Sequence, residues 1–78
     1  MKLKIRDGED FIRLGQALKA ARLVDEGADA KYAIRDGQVK VNGEVELQRG
    51  KKLHGGDVVS YRNDTIEIEG PGESRNDV

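Results

Sequence analysis

Seventy-eight residues without a cysteine allow one small domain with a thin core, and exclude a disulfide framework or a thiolate metal site. Fourteen basic side chains against 15 acidic ones give a net charge of −1, which excludes the uniformly basic surface of a general nucleic-acid binder. The sum hides a split. Residues 1–30 carry six basic and six acidic side chains, residues 31–62 seven against four, and residues 63–78 one against five. Asymmetry between segments says more than the total, so the middle of the chain is where a binding surface is to be sought.

"MKLKI" alternates, with Leu3 and Ile5 on one side and Lys2 and Lys4 on the other, as a half-buried strand does. No apolar h-region accompanies it, and no later run approaches membrane-spanning length, so the expectation is a cytoplasmic protein without membrane contact. "DGED" supplies a turn and an N-cap at Asp10. From Phe11 the period lengthens: Phe11, Leu14, Ala17, Leu18 and Ala21 form an apolar helical stripe, with Arg13, Gln16 and Lys19 facing away. The helix fades near "ARLVDEG", where Leu23 and Val24 seat the connection in the core.

A second helix is predicted in "ADAKYAIRDG". Ala30, Ala33 and Ile34 share its core face, Asp29 occupies the first turn and Gly37 supplies the C-terminal stop. Lys31 and Arg35, four apart, stand one above the other on the exposed side. Period two then takes over. "QVKV" sends Val39 and Val41 inward and Lys40 outward, Asn42-Gly43 is the strongest short signal for a two-residue hairpin, and "EVEL" returns with Val45 and Leu47 expected inward. After a turn at "HGGD", "VVSY" and "TIEIE" read as strands joined at Asn63-Asp64. The expected architecture is α+β: two helices packed on a small, mostly antiparallel sheet, as one domain over residues 1–69 with a flexible acidic tail at 70–78.

Catalytic constellations are missing. His54 is the sole histidine and sits in a glycine turn, where a solvated side chain is the ordinary outcome. Glu67 and Glu69 alternate as the solvent face of any strand does. No phosphate-loop spacing exists around Gly50, and Lys52 stands where a serine or threonine would bind magnesium. The expectation is no enzyme, no metal and no cofactor.

The cations divide between two readings. Charged faces are normal on small domains, and singly each lysine is surface solvation. Their placement argues otherwise: Lys31 and Arg35 project from one side of the second helix, Lys40 follows on the strand, and "QRGKK" puts Arg49, Lys51 and Lys52 around a glycine that lets backbone approach a ligand. A hairpin folded back beside the second helix would join them into one groove. With Phe11, Tyr32 and Tyr61 as the only aromatic residues, base stacking is not the expected mode, and such a groove suits phosphate and shape recognition of structured RNA.

Over residues 11–62 the chain resembles the RNA-binding domain named after small-subunit ribosomal protein S-four, the αL motif. The resemblance rests on Arg13-Leu14, Asp29-Ala30-Lys31, "IRDGQVKVNG" from Ile34 to Gly43, and Gly56-Asp57-Val58. In length and in its early strand the chain is similar to the small stand-alone members. The resemblance implies a structured RNA partner, ribosomal or tRNA-like, with Arg13, Lys31, Arg35, Gln38 and Lys40 at RNA-facing positions and Arg49, Lys51 and Lys52 as a local basic loop. Many relatives carry Ser-Arg where this chain has Glu26-Gly27, removing one cationic contact. Ribosomal or RNA-processing proteins are further expected partners. The alternative is a protein-interaction adaptor in such a complex, using the acidic last strand and tail; a detached subunit of an RNA-modifying enzyme is a lesser one.

Overall fold

The computed structural model describes residues 1–25 and 27–70, with side chains 27 and 28 also left aside, so Glu26 and most of the expected tail lie outside the described residues. Two helices pack on one side of a mostly antiparallel sheet, as expected. The strands are β1 (Lys2–Lys4), β2 (Ile12–Arg13), β3 (Val39–Val41), β4 (Glu44–Val45), β5 (Lys52–Leu53), β6 (Val58–Tyr61) and β7 (Asp64–Glu69). The helices are α1 (Leu14–Ala20) and α2 (Gly27–Arg35). Five strands form the main sheet in the order β1-β7-β6-β3-β4, and β2 pairs with β5 as a separate two-stranded ladder. Only β1 runs parallel to its neighbour, placing Leu3 opposite Ile68.

One continuous core joins the layers. Leu14 and Leu18 of α1 and Ile34 of α2 are fully buried against Val39, Val59 and Ile66 of the sheet, with Ile5 and Leu53 closing the two ends. Val24 is buried and Leu23 packs against the same cluster, so the interhelical connection is seated as its sequence suggests. No described helix is long and apolar enough to cross a membrane.

α1 begins three residues later than its apolar stripe suggests. Asp10 is not its cap and Phe11 is not on it: Ile12 and Arg13 are extended, opposite Leu53 and Lys52. Arg13 occupies the N-cap position at φ −83° and ψ 151°, and Gln16 reaches back so that its Oε1 accepts from the Arg13 backbone N–H at 3.2 Å. A long-range partner outcompetes Asp10. The N–H groups of Leu14 and Gly15 donate to the carbonyls of Lys51 and Arg49, at 2.9 and 3.0 Å, so the orphan donors of the first turn are satisfied from 35 or so residues along the chain.

Both helices end in the same motif with different residues. At the end of α2, Gly37 N–H donates to the Ile34 carbonyl and Gln38 N–H to Ala33, with Gly37 left-handed at φ 76°. At the end of α1, Arg22 N–H donates to Lys19 and Leu23 N–H to Leu18, and here a side-chain-bearing residue, Arg22, adopts φ 62°.

The β3–β4 hairpin turns at Asn42 and Gly43, with φ 54° and 87°, as the sequence signal requires. Its register reverses one expectation. A two-residue turn pairs Val41 with Glu44 and Lys40 with Val45, so Val45 shares the outward face with Lys40. Val45 and Leu47 are accordingly exposed, by 50% and 59%, rather than inward. The second hairpin also shifts by one: Tyr61 pairs with Asp64, which makes Arg62 and Asn63 the turn, with Arg62 at φ 58°.

Two outcomes follow from these backbones. Arg22→Gly relieves the left-handed strain and, after the larger chain entropy of glycine in the unfolded state, raises stability by about 0.5–1 kcal/mol in urea titration; an unchanged or lower midpoint would contradict the strain. Leu47→Ser changes stability by less than about 0.5 kcal/mol, whereas Leu53→Ala, fully buried, costs about 2–5 kcal/mol in the same measurement.

Candidate nucleic-acid interface

The basic loop is built by the contacts that start α1. Lys51 and Arg49 give their carbonyls to α1, and Arg13 Nη1 donates to the Gly50 carbonyl at 2.9 Å, holding the loop from the other side. Gly15 makes the crossing possible: a Cβ there would sit 2.8 Å from Arg49 Cγ, closer than carbon atoms approach. The carbon stem of Arg49 therefore lies directly on the helix backbone while its charged end reaches solvent.

Next to the loop, Phe11 organises two more cations. Arg13 Cζ lies 5.3 Å and Lys52 Nζ 4.8 Å from the ring centroid, and the His54 ring is tilted beside it at 6.2 Å. The ring is thus engaged by cations of its own chain and is no free platform for a base. Its effect is to hold Arg13 and Lys52 together across the β2–β5 ladder.

A hydrogen-bonded latch ties the hairpin to the next turn. Asp57 accepts from the His54 backbone N–H at 2.7 Å and from Asn42 Nδ2 at 3.1 Å, while Asn42 Oδ1 accepts from Val58 N–H at 2.9 Å. Partial burial alone raises the Asp57 pKa, but the His54 and Asn42 hydrogen bonds, with the positive fields of His54 and Lys51, outweigh it and hold the carboxyl below its ordinary 3.8. The Asn-Gly and Gly-Asp signatures, fifteen residues apart, are two halves of this one latch.

The residues singled out in the sequence fall into separate groups. Arg13, Arg49 and Gly50 meet at α1 around a concavity of about 330 Å³, which Gly15, Gln16, Lys19 and Ala30 complete. Lys51 and Lys52 line a neighbouring hollow under the hairpin together with Glu44, Glu46, His54 and Asp57. Lys31 and Arg35 are exposed on α2, and Lys40 is exposed on the outer sheet face between Val45 and Ser60. Gln38 lies elsewhere, beside Asp25, Asp29, Tyr32 and Asp36. The loop is anchored to α1 rather than folded against Lys31 and Arg35. Lys19 and Gln16 are the residues whose position the sequence reading passed over; Arg13, Gln16 and Lys19 are spaced by three along α1, a signal that they share a side. Among the described residues no cluster of histidine and carboxylate side chains is arranged to hold a metal ion.

Two short helices, a glycine-stopped second helix, an Asn-Gly hairpin and a latched Gly-Asp turn together make the αL motif. The chain belongs to the S4 domain family, whose pattern matches residues 3–69. It is 43% identical over 63 residues to the probable ribosome maturation protein RlbA of Bacillus subtilis, covering 81% of this chain and 79% of that one. It is 37% identical over 57 residues to the putative RNA-binding protein YbcJ of Escherichia coli, covering 73% and 81%. The solution structure of E. coli YbcJ, described as revealing an αL motif involved in RNA binding, superposes with a TM-score of 0.66 at 31% identity, over 87% of this chain and 85% of that one.

The latch has a pH signature. Because the folded Asp57 pKa is depressed, its contribution to stability is complete above the unfolded value near 3.9 and is lost as pH falls through the folded one. Asp57→Asn should cost about 1–2 kcal/mol at pH 7, and the gap to the unsubstituted protein should close as denaturation is repeated from pH 5 to pH 3. A gap constant across that range would remove the charge from the account.

Proposed function

We propose that the chain is a non-catalytic, cytoplasmic RNA-binding protein that recognises structured RNA, ribosomal RNA in the first instance. The observation that carries this reading is the fixed basic loop: backbone hydrogen bonds hold Arg49–Lys51 on α1 beside Arg13, concentrating cations in a chain whose net charge is −1. Held in place before binding, these side chains lose less conformational freedom on meeting phosphate than free ones do. Arg13, Arg49, Lys51 and Lys52 form the centre of the proposed contact. Lys31 and Arg35 on α2 and Lys40 on the outer sheet face are further, separate contacts in this reading, and Gln38 stands apart among the carboxylates on the other flank of α2. The names carried by RlbA and YbcJ support RNA, and support ribosome maturation as the setting.

A second reading, a protein-docking adaptor, draws on the other flank of α2, where Asp25, Asp29 and Asp36 surround the exposed Tyr32. Salt and charge reversal separate the two. Each lost phosphate contact weakens RNA binding across sequences and lowers the salt slope by about one. Lys31→Glu with Arg35→Glu should weaken binding of a ribosomal RNA hairpin strongly at 50 mM salt and less at 200 mM. Lys2→Glu, at the far sheet edge where Lys2 pairs with Glu69 at 3.8 Å, should change it little. Equal effects from both variants would mean unlocalised attraction and would favour the adaptor.

A further inference from the structure

Cations also line a hollow by β1, where Lys4, Arg6 and Lys19 stand with Glu9, and the hollow under the hairpin; the concavity between α1 and the basic loop differs from both in the charges of its described lining. Phosphates alone can be met by charges on a convex or flat surface, but here the surface is recessed, at the lower end of the roughly 300–1,000 Å³ of small-ligand sites. Its rim carries Arg13, Lys19 and Arg49 with the amide of Gln16, and among the described residues no carboxylate lines it. Gly15 and Ala30, both buried, close it beneath the Arg49 stem, and Gly50 stands exposed at its mouth. A neighbouring hollow, under the hairpin, sets Glu44, Glu46 and Asp57 beside Lys51 and Lys52, so its charge is of mixed sign.

The donors are arranged in depth. Arg13 spends one N–H on the Gly50 carbonyl, which fixes its guanidinium and leaves the other donors of the fork for an anion. Gln16 uses Oε1 on the Arg13 backbone, which orients its amide so that two N–H donors remain for a base edge. The exposed Arg49 guanidinium offers a planar surface on which a base stacks without an aromatic side chain.

We propose that this concavity is a subsite for one unstacked nucleotide of RNA, its phosphate held by Arg13 and Lys19 and its base stacked on the Arg49 guanidinium beside the Gln16 amide. The proposal rests on the RNA-binding reading and sharpens it: the target is a helix interrupted by a bulged or looped-out nucleotide. Continuous duplex cannot enter, because its bases are stacked and paired and its phosphates alone reach the rim.

The test uses the full chain and two RNA hairpins of matched stem sequence, one fully paired and one with a single bulged uridine, titrated by fluorescence anisotropy at one salt concentration. The unsubstituted protein should bind the bulged hairpin roughly tenfold more tightly, the scale of one stacked base. Gly50→Leu blocks the mouth at a position free of left-handed backbone, where a Cβ meets only Arg13 Nη1, at 3.5 Å. It should abolish the preference, bringing the bulged and paired hairpins to equal affinity. Lys19→Ala should weaken the bulged hairpin and lower its salt slope by about one. In parallel, uridine monophosphate and inorganic phosphate are titrated into labelled protein and amide shifts followed at Gln16, Lys19 and Gly50. Larger shifts with the nucleotide, lost in Gly50→Leu, support the subsite; equal shifts with phosphate overturn it in favour of a plain anion site. Tight binding of both hairpins without preference overturns the subsite and leaves the RNA reading standing. Failure to bind either hairpin, with nucleotide shifts intact, overturns the RNA reading instead.

Discussion

Two hydrogen bonds set most of this structure: the N–H groups of Leu14 and Gly15 given to the carbonyls of Lys51 and Arg49. A seven-residue helix has little stability of its own, since its nucleus is costly and its first donors are orphaned. Here the orphans are matched by two carbonyls of a loop that closes on itself only through the Lys51 N–H given to Gln48 among its described backbone bonds. The exchange fixes where α1 starts, where the loop lies, and which side chains stand beside it. Gly15 is the permissive condition for the Arg49 stem, because a Cβ there would sit 2.8 Å from Arg49 Cγ and force that side chain off the helix. Fold and basic surface are therefore one construction in this chain, and a lesion in either reaches the other.

A comparable economy governs the hairpin. Asn42 supplies left-handed backbone for the turn, donates to Asp57 and accepts from Val58 N–H, so one side chain sets turn, register and connection to β6. Phe11 plays a related part on the β2–β5 ladder, drawing Arg13 and Lys52 over its ring. Small domains gain from such shared duties, because the core beneath them is thin.

Local periodicity made most of the elements legible: the α2 core face of Ala30, Ala33 and Ile34, the Gly37 stop and the alternation of Val39, Lys40 and Val41 all stand as read. What was misread depends on distance or parity. Asp10 looks like a cap by local rules, and nothing near it announces that residues 49–51 take over the helix start. Val45 and Leu47 were assigned inward by continuing the alternation, although a two-residue turn at Asn42-Gly43 itself dictates the opposite parity. That error was avoidable from sequence. The grouping of Arg13, Lys19 and Arg49 was not, since it needs the docked loop. Glu26, which with Gly27 stands where the resemblance implies Ser-Arg, falls outside the described residues.

The outward turn of Val45 and Leu47 also bears on how the protein behaves in concentrated solution. They sit at an edge of the main sheet, where unpaired backbone groups invite another chain to add on. β4, however, ends after two residues, and Glu44 and Glu46 flank Val45. The opposite edge, β1, is three residues long and shows Lys2 and Lys4 to solvent. Neither edge offers the five- to seven-residue, uncharged, strand-forming run from which fibrils grow. Apolar side chains can therefore remain uncovered on this hairpin without turning the sheet into a template for its own copies.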